Sequence, residues 1–356
     1  MKSLKRYPER PRELLQAYDS ADELLVNHAQ SLELIHKRVL VLNDSFGAIV
    51  LNLNVANLSV YTDSFVSGEG ISSNSEGKVR AFHNLESLEG VYDFVFYRIP
   101  KNLSFFEDEL CHLSQHLGST SVLIGTAMVK HLAKGAFDLL EKYIGKTHTS
   151  LAEKKARLVF ATFERGPVTS PYPREVTMEG FALPFSQASN LFSRDKLDIG
   201  TRFFLEHVPS GPFQTILDLG CANGIIGIRA KQKNPGAKIV FSDDSAMAIV
   251  SSRINYSRYF EDEAQFHFTN CYEGQAKNSL DLVLCNPPFH QAQAIGDHIA
   301  SQMFKDAWDA LKPNGRLRVI ANSHLTYPQK LKAIFGNCQR IATHPKFVVL
   351  DAVKNP

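Results

Sequence analysis

Nowhere does this 356-residue chain hold 18 consecutive uncharged apolar residues, the length a helix needs to cross a bilayer's hydrocarbon core. The basic start MKSLKRYPERPR leads into no apolar segment of the kind an export signal carries. A soluble, cytoplasmic protein without a membrane partner is the expectation. Cysteine is scarce and scattered: Cys111, Cys221, Cys271, Cys285 and Cys338 form no CxxC pair and no His/Cys spacing that would build a zinc site. Reduced thiols and no metal are expected. The thirteen histidines show neither a triad nor a ligand spacing. Charge of either sign is nearly balanced at +2 overall, with 19 basic against 20 acidic residues up to residue 170 and 20 against 17 after it. A nucleic-acid surface must therefore be a local patch. No long heptad pattern advertises a coiled-coil partner, so a monomer is expected.

What the chain does have is 44% hydrophobic residues, enough over this length for two cores. From residue 180 onward, short apolar runs alternate with helical patterns, the grammar of an α/β domain with helices on both faces of a mostly parallel sheet. Strands are expected at TILDL (215–219), KIVFSD (238–243), QFHFTN (265–270), DLVLCN (281–286), RLRVIAN (316–322), CQRIAT (338–343) and KFVVLDAV (346–353). Helices are expected at GIIGIRAKQKN, at SAMAIVSSRINYSRYF, and at SQMFKDAWDALK ahead of a turn at Pro313-Asn314-Gly315. The tight loop with Pro345 makes the last two strands an antiparallel hairpin at a sheet edge. The first half repeats this grammar: VLVLNDSFGAI (39–49) stands where TILDLGCANGII stands later, SVYTDSF parallels IVFSDDS, and YDFVFYRIPKN parallels LDLVLCNPPFH. Its chemistry is missing, because the glycine-rich turn is reduced to Gly47 and the Asn-Pro-Pro-Phe position reads Arg98-Ile99-Pro100-Lys101. Residues 1–165 are therefore expected to be a degenerate sister domain, 166–178 a linker, and 179–356 the active domain.

DLGCANGIIG (218–227) follows a strand and opens a helix, the usual ligand position at the carboxyl edge of a parallel sheet. Its glycines are spaced four and then three apart, not GxGxxG, which disfavours a pyrophosphate cofactor. Some 20 residues on, the second strand ends in Asp243-Asp244, a place for a ribose-binding carboxylate. A ribosylated cofactor without a pyrophosphate fits, and S-adenosylmethionine has that form, its amino-acid carboxylate suited to the positive end of a helix. The candidate contacts are Asp218, Gly220, Cys221 and Gly224 in the turn, with Asp243, Asn270 and Asn286 at the ends of the next strands. A positive φ at Ala222, where glycine would be at ease, would carry strain.

Asn286 ends the fourth strand, which lies beside the first in a doubly wound sheet. A nucleobase amine is a poor nucleophile because its lone pair is delocalised into the ring. Two carbonyl acceptors, the Asn286 side chain and the Pro287 backbone, would take its two protons and aim the lone pair at a methyl donor. Pro287 and Pro288 restrict φ, and Phe289 offers a stacking face for an unstacked base. Asn286, Pro287 and Phe289 are the candidate catalytic residues.

With these motifs the chain resembles the class I S-adenosylmethionine-dependent methyltransferases, and more narrowly the bacterial ribosomal RNA guanine-N2 methyltransferases with duplicated methyltransferase-like domains. LFSRDKLDIGTRFFLEHVP, DLGCANGIIG, VLCNPPFHQ, IANSHLTY and FGNCQRIATHPKFVVLDAVK carry the resemblance, and AYDSADELLV, VLVLNDSFGAI and LAEKKARLVF favour the branch acting on large-subunit (23S) over small-subunit (16S) RNA. It implies two tandem Rossmann-like domains, the second with a seven-stranded doubly wound sheet and C-terminal hairpin, the first an inactive copy for RNA binding or support. It also implies the cofactor at Gly220, Gly224 and Asp243, and guanine N2 presented at Asn286 to Phe289. Phe192, Ser193, Arg194 and Asp198 are expected to flap over the cofactor. Lys154, Lys155 and Arg157 are candidate RNA contacts, as is the N-terminal group Lys2, Lys5, Arg6, Arg10 and Arg12. Adenine-N6 or protein-glutamine methylation, and a non-catalytic RNA-binding assembly factor, are the alternatives.

Overall fold

The computed structural model describes residues 1–10, 13–192, 194–288 and 294–356, with the backbone alone for 294–297. Contacts divide the chain into two compact units, Met1–Tyr172 and Pro173–Pro356. The first contains α1 (Ser20–Ala29), β1 (Arg38–Leu42), β2 (Asn57–Tyr61), α2 (Phe65–Asn74), β3 (Tyr92–Arg98), α3 (Leu103–Ser114), β4 (Leu117–Met128), α4 (Lys134–Tyr143), β5 (Thr147–Thr149) and β6 (Ala156–Thr162). Its sheet runs β2-β1-β3-β4-β6-β5. The first four strands are parallel, and β6 is antiparallel to both its neighbours.

In the second unit a short antiparallel pair, β7 (Arg174–Val176) and β8 (Phe185–Gln187), precedes α5 (Ile199–Glu206). Then come β9 (Thr215–Leu219), α6 (Ile225–Lys233), β10 (Lys238–Asp243), α7 (Ala246–Tyr259), β11 (Gln265–Phe268), β12 (Leu280–Cys285), α8 (Ala294–Ala310), β13 (Leu311–Asn322), α9 (Tyr327–Phe335), β14 (Gln339–Thr343) and β15 (Phe347–Val353). The sheet order is β11-β10-β9-β12-β13-β15-β14, with β15 antiparallel to β13 and β14. Strand order reverses between β9 and β12. The chain leaves β9 in one direction and returns to β12 on the other side, which opens a crevice at their carboxyl ends.

Both faces of this sheet are covered, which is why its strands read as nearly unbroken apolar runs. Leu217, Leu219, Val283 and Cys285 pack with Phe304 and Leu331, while Ile216, Ile239, Leu282 and Leu284 pack with Phe204, Ile228 and Ile249. Alternation along β9 therefore sends Asp218 to the α6 side, among apolar neighbours.

Two local expectations are corrected. The third strand stops at Phe268: the Thr269 N–H still donates to Asp243 O at 3.1 Å, but the chain turns away through Cys271 at φ +51°. The Pro313-Asn314-Gly315 turn does not separate α8 from the next strand, since β13 begins at Leu311 and absorbs it as an irregularity in the pairing with β12. Asn314 at φ +66° donates its N–H to Lys354 O, and Lys354 N–H donates to Gly315 O. The kinked backbone thus keeps its hydrogen bonds. In the N-terminal unit a single parallel bridge flanks β2, with Phe82 N–H donating to Val60 O and Phe82 O accepting from Thr62 N–H.

Candidate active site at the carboxyl edge of the C-terminal sheet

Glycine at the end of β9 makes the turn possible. Gly220 and Gly224 have φ of +77° and +80°, and Gly224 is the N-cap of α6. A Cβ at Gly224 would meet Ser252 Cβ at 3.0 Å, so both backbone angle and space call for glycine. Ala222 also lies in the left-handed region, at φ +48°. The strain anticipated there, about 1–3 kcal/mol for such a residue, is present, and the conformation aims the Ala222 N–H at Asp243 Oδ2, 2.9 Å away. Ser245 N–H holds the other oxygen of Asp243 at 2.9 Å. The Asp243 carboxylate is thereby fixed at the end of β10, the place for a ribose-binding acid.

Asp218 stands beneath the turn. It is fully buried, its Oδ2 accepts the Gly227 N–H at 2.8 Å, and burial, helped by the nearby Asp243 charge, pushes its pKa up to about 8. Its place in the structure is that of a clasp joining β9 to α6. Cys221 is buried too, and burial with Asp243 and Asp218 nearby raises its thiol well above the usual range. Asn270 follows the shortened third strand. Its amide donates to Glu273 Oε2 at 3.1 Å, and its oxygen lies 3.6 Å from the Cys271 thiol.

Asn286 comes immediately after Cys285, and Cys285 pairs with Leu219, so Asn286 stands level with Gly220 on the neighbouring strand. Adjacent strands lie about 4.8 Å apart. The Asn286 carboxamide is pinned on one side only: Nδ2 donates to Thr201 Oγ1 at 3.1 Å, whereas Oδ1 is buried and meets no hydrogen-bond donor among the described residues. A buried acceptor without a partner is unusual and invites explanation. Pro287 next to it is buried. Phe289 lies outside the described residues, as does Ser193.

Thr201 did not emerge from sequence reasoning. It lies in the first turn of α5, whose N-cap Asp198 accepts the N–H groups of Gly200 and Thr201 at 2.9 and 3.1 Å. The signal was an acid three residues ahead of a threonine at a helix start. Asp198, expected in a flap, is seen as the cap that sets Thr201. Arg194 binds Ser189 O and Asp195, and the Phe192 ring is 61% exposed.

The pocket fits S-adenosylmethionine on these observations. A glycine-lined turn leads into a helix N-terminus for an amino-acid carboxylate, a doubly held acid awaits a ribose, and an unpartnered acceptor stands beside the turn.

Comparison with known proteins agrees with this arrangement. The family model of the methyltransferase small domain matches residues 182–351, and that of the RLMG N-terminal domain matches residues 2–165. In solved structures, the 16S rRNA N2 G1207 methyltransferase of T. thermophilus, in complex with AdoMet and guanosine, superposes with a TM-score of 0.80. It covers 95% of this chain and 92% of its own at 20% identity, a likeness of fold. Ribosomal RNA large subunit methyltransferase G of Pseudomonas fluorescens (strain Pf0-1) is 43% identical over 98% of this chain and 96% of its own. The proteins of that name from Pseudoalteromonas translucida and Erwinia tasmaniensis are 40% and 39% identical, over 99% and 100% of this chain and 96% and 98% of theirs. With such identity sustained along both units, the chain belongs to the ribosomal RNA large subunit methyltransferase G family.

Proposed function

We propose that this enzyme transfers a methyl group from S-adenosylmethionine to the exocyclic N2 amine of a guanine in large-subunit (23S) ribosomal RNA. The relatives' name supports the RNA, and the buried, unpartnered Asn286 Oδ1 beside Gly220 carries the chemistry. Bound at the turn, S-adenosylmethionine supplies an electrophilic methyl group. Asp243 accepts the ribose hydroxyls, and the α6 N-terminus faces the amino-acid carboxylate. Asn286 Oδ1 accepts a hydrogen bond from one amine N–H and the Pro287 carbonyl from the other, which turns the nitrogen lone pair out of the ring plane. Thr201 holds the carboxamide by Nδ2 so that the oxygen is the atom presented. No strong base is required, because the alkylated nitrogen is acidic and gives its proton to water. The neighbouring groups agree with that: Asp218, Cys221 and Cys285 are all shifted upward, chiefly by burial, and stay protonated near neutrality. Phe289 is assigned the stacking face for the base.

In this reading residues 1–165 form a degenerate copy of the catalytic domain, 166–178 the linker and 179–356 the catalytic domain. The shared strand order supports it, since removing β11 from the C-terminal sheet leaves the connectivity of the N-terminal one. So do the strand ends. Tyr97 pairs with Leu42 as Cys285 pairs with Leu219, which puts Arg98 where Asn286 stands. The Arg98 guanidinium is tied to Asp19 and Asp22 of the α1 start at 3.1 and 3.3 Å. That strand end offers an engaged cation where the C-terminal one offers a carboxamide oxygen. RNA contact is assigned to the N-terminal unit, including Lys154, Lys155 and Arg157, and the enzyme to the cytoplasm as a monomer.

The test is incubation with tritiated-methyl AdoMet and protein-free ribosomal RNA from cells lacking the enzyme, followed by nucleoside analysis. Label in N2-methylguanosine of the large-subunit RNA is expected, and Asn286→Ala is expected to abolish it while largely sparing AdoMet affinity. Turnover unchanged by Asn286→Ala would refute the mechanism.

A further inference from the structure

We propose that Gln187 is a further cofactor-binding residue, its carboxamide holding the zwitterionic amino-acid end of S-adenosylmethionine. The proposal rests on the S-adenosylmethionine reading of the Gly220 and Gly224 turn. It adds to that turn a contact from a segment that precedes the large sheet in sequence.

Gln187 is fully buried, and neither Nε2 nor Oε1 of its side chain meets a hydrogen-bond partner among the described residues. Burying a carboxamide with both ends unpaired opposes folding, and an apolar side chain of the same length would pack there without that cost. Such a group asks for a reason outside the folded chain. Asn286 Oδ1, the unpaired acceptor of the same unit, has its reason in the substrate amine.

The surroundings of Gln187 fix where it is aimed. It ends β8, whose Phe185 is fully buried and meets Phe181 edge-on at a centroid distance of 5.2 Å. Residues two apart on a strand share a face, so Gln187 points into the unit as Phe185 does. Ser186 between them is clamped to α7. Its N–H donates to Asn255 Oδ1 at 2.6 Å, and its carbonyl accepts from Asn255 Nδ2 at 3.0 Å. The same Nδ2 donates to Asn223 O at 3.0 Å. One buried amide thus holds the β8 backbone against the residue that precedes Gly224, the N-cap of α6. Two residues beyond Gln187, the Ser189 hydroxyl reaches Met247 Sδ at 3.4 Å, in the first turn of α7. That turn follows Ser245, whose N–H holds Asp243. The segment from Ser186 to Ser189 therefore runs from the α6 start toward the Asp243 end of the crevice, with Gln187 next to the α6 start.

Chemistry selects the amino-acid end as the group it takes. The ribose already has Asp243. A carboxamide carries both donors and an acceptor, and the amino-acid end carries their complements, a carboxylate and an ammonium group, on one carbon. Nε2–H donates to the carboxylate that the α6 N-terminus also faces, and Oε1 accepts from the ammonium. Both bonds are charge-assisted and buried, the setting in which hydrogen bonds are strongest.

Gln187→Met keeps the length of the side chain and removes both polar ends. The full-length variant is titrated calorimetrically with S-adenosylhomocysteine and with 5′-methylthioadenosine, which share adenosine and sulfur but differ in that only the first carries the amino-acid end. S-adenosylhomocysteine should bind about 10-fold to 100-fold more weakly than it binds the parent, and 5′-methylthioadenosine within about twofold of it. Free of ligand, the variant should melt about 2–4 °C above the parent, because an unpaired buried carboxamide is gone. Gln187→Leu should behave in the same way, and decides the matter if the methionine variant misfolds. Unchanged S-adenosylhomocysteine affinity overturns the proposal. So does an equal loss for both ligands, or a lower Tm in both variants, since either makes Gln187 a support of the fold. A parent that binds neither S-adenosylmethionine nor S-adenosylhomocysteine overturns the cofactor reading itself, a failure the parent alone reveals.

Discussion

Replacing Thr201 by valine removes one hydroxyl and leaves the shape of the side chain, which isolates what that hydroxyl does. Thr201 is 5% exposed, and its Oγ1 receives the Asn286 Nδ2–H at 3.1 Å. In Thr201→Val a part-buried amide N–H loses its partner, a loss of about 1–3 kcal/mol. The carboxamide can recover part of it only by rotating, and rotation takes Oδ1 away from the position where it receives the amine proton. The acceptor is needed most as charge develops on nitrogen, so the loss falls on the transition state. Turnover should fall about 5-fold to about 150-fold, with AdoMet affinity unchanged, because Thr201 bonds none of the proposed cofactor residues Gly220, Gly224 and Asp243. Thr201→Ser keeps the hydroxyl and should restore most of the rate. The assay is kcat from tritiated-methyl transfer at saturating RNA and cofactor, beside calorimetric titration with AdoMet. A Thr201→Val enzyme with parental kcat would refute the reasoning. So would a loss that appears wholly as weakened AdoMet binding, which would make Thr201 part of the cofactor cradle.

Three further outcomes are expected. Asp243→Ala should raise the AdoMet requirement first, read as KM or calorimetric Kd, since it removes both the ribose acceptor and the partner that orients Ala222; an unaltered Kd would exclude the ribose role. Asp218→Asn should flatten the pH dependence of stability. The folded acid keeps its proton to about 8 while the unfolded one releases it near 4, so the parent binds more protons folded than unfolded and loses stability as pH rises across that window. Denaturation midpoints at pH 5.5 and 7.5 should lie closer together in the variant. Arg318 and Asp351 face each other across β13 and β15, with Nε–Oδ1 and Nη2–Oδ2 both at 2.6 Å and both side chains almost fully buried. Asp351→Ala should cost about 3–5 kcal/mol by stranding a buried cation, and an Arg318→Met, Asp351→Leu pair should recover most of it, measured by chemical denaturation.

The crevice was legible because its parts are local. Strand endings, the Gly220 and Gly224 turn, and the acid about 20 residues on are encoded within one strand-turn-helix unit, and short-range periodicity reports such units directly. Asn286 was legible for a different reason: an amide wedged between an apolar strand and two prolines has no structural need to be there. The strand limits were less legible at Phe268 and around Pro313-Asn314-Gly315. There, long-range backbone hydrogen bonds, Thr269 N–H to Asp243 O and the pair that Lys354 makes with Asn314 and Gly315, accompany the departure from the expected limits.

By itself the sequence determined the alternation of strands and helices in both halves, the position of the glycine turn, and the asparagine that follows the neighbouring strand. Those follow from hydrophobic period and turn chemistry, which act over a few residues. The tertiary structure alone decided that Thr201, 85 residues before Asn286, holds the carboxamide, that Asp218 lies under the turn, and that Arg98 is spent on the α1 start. Each of these depends on which strands become neighbours and in what register, and that is settled by burial of whole sheet faces.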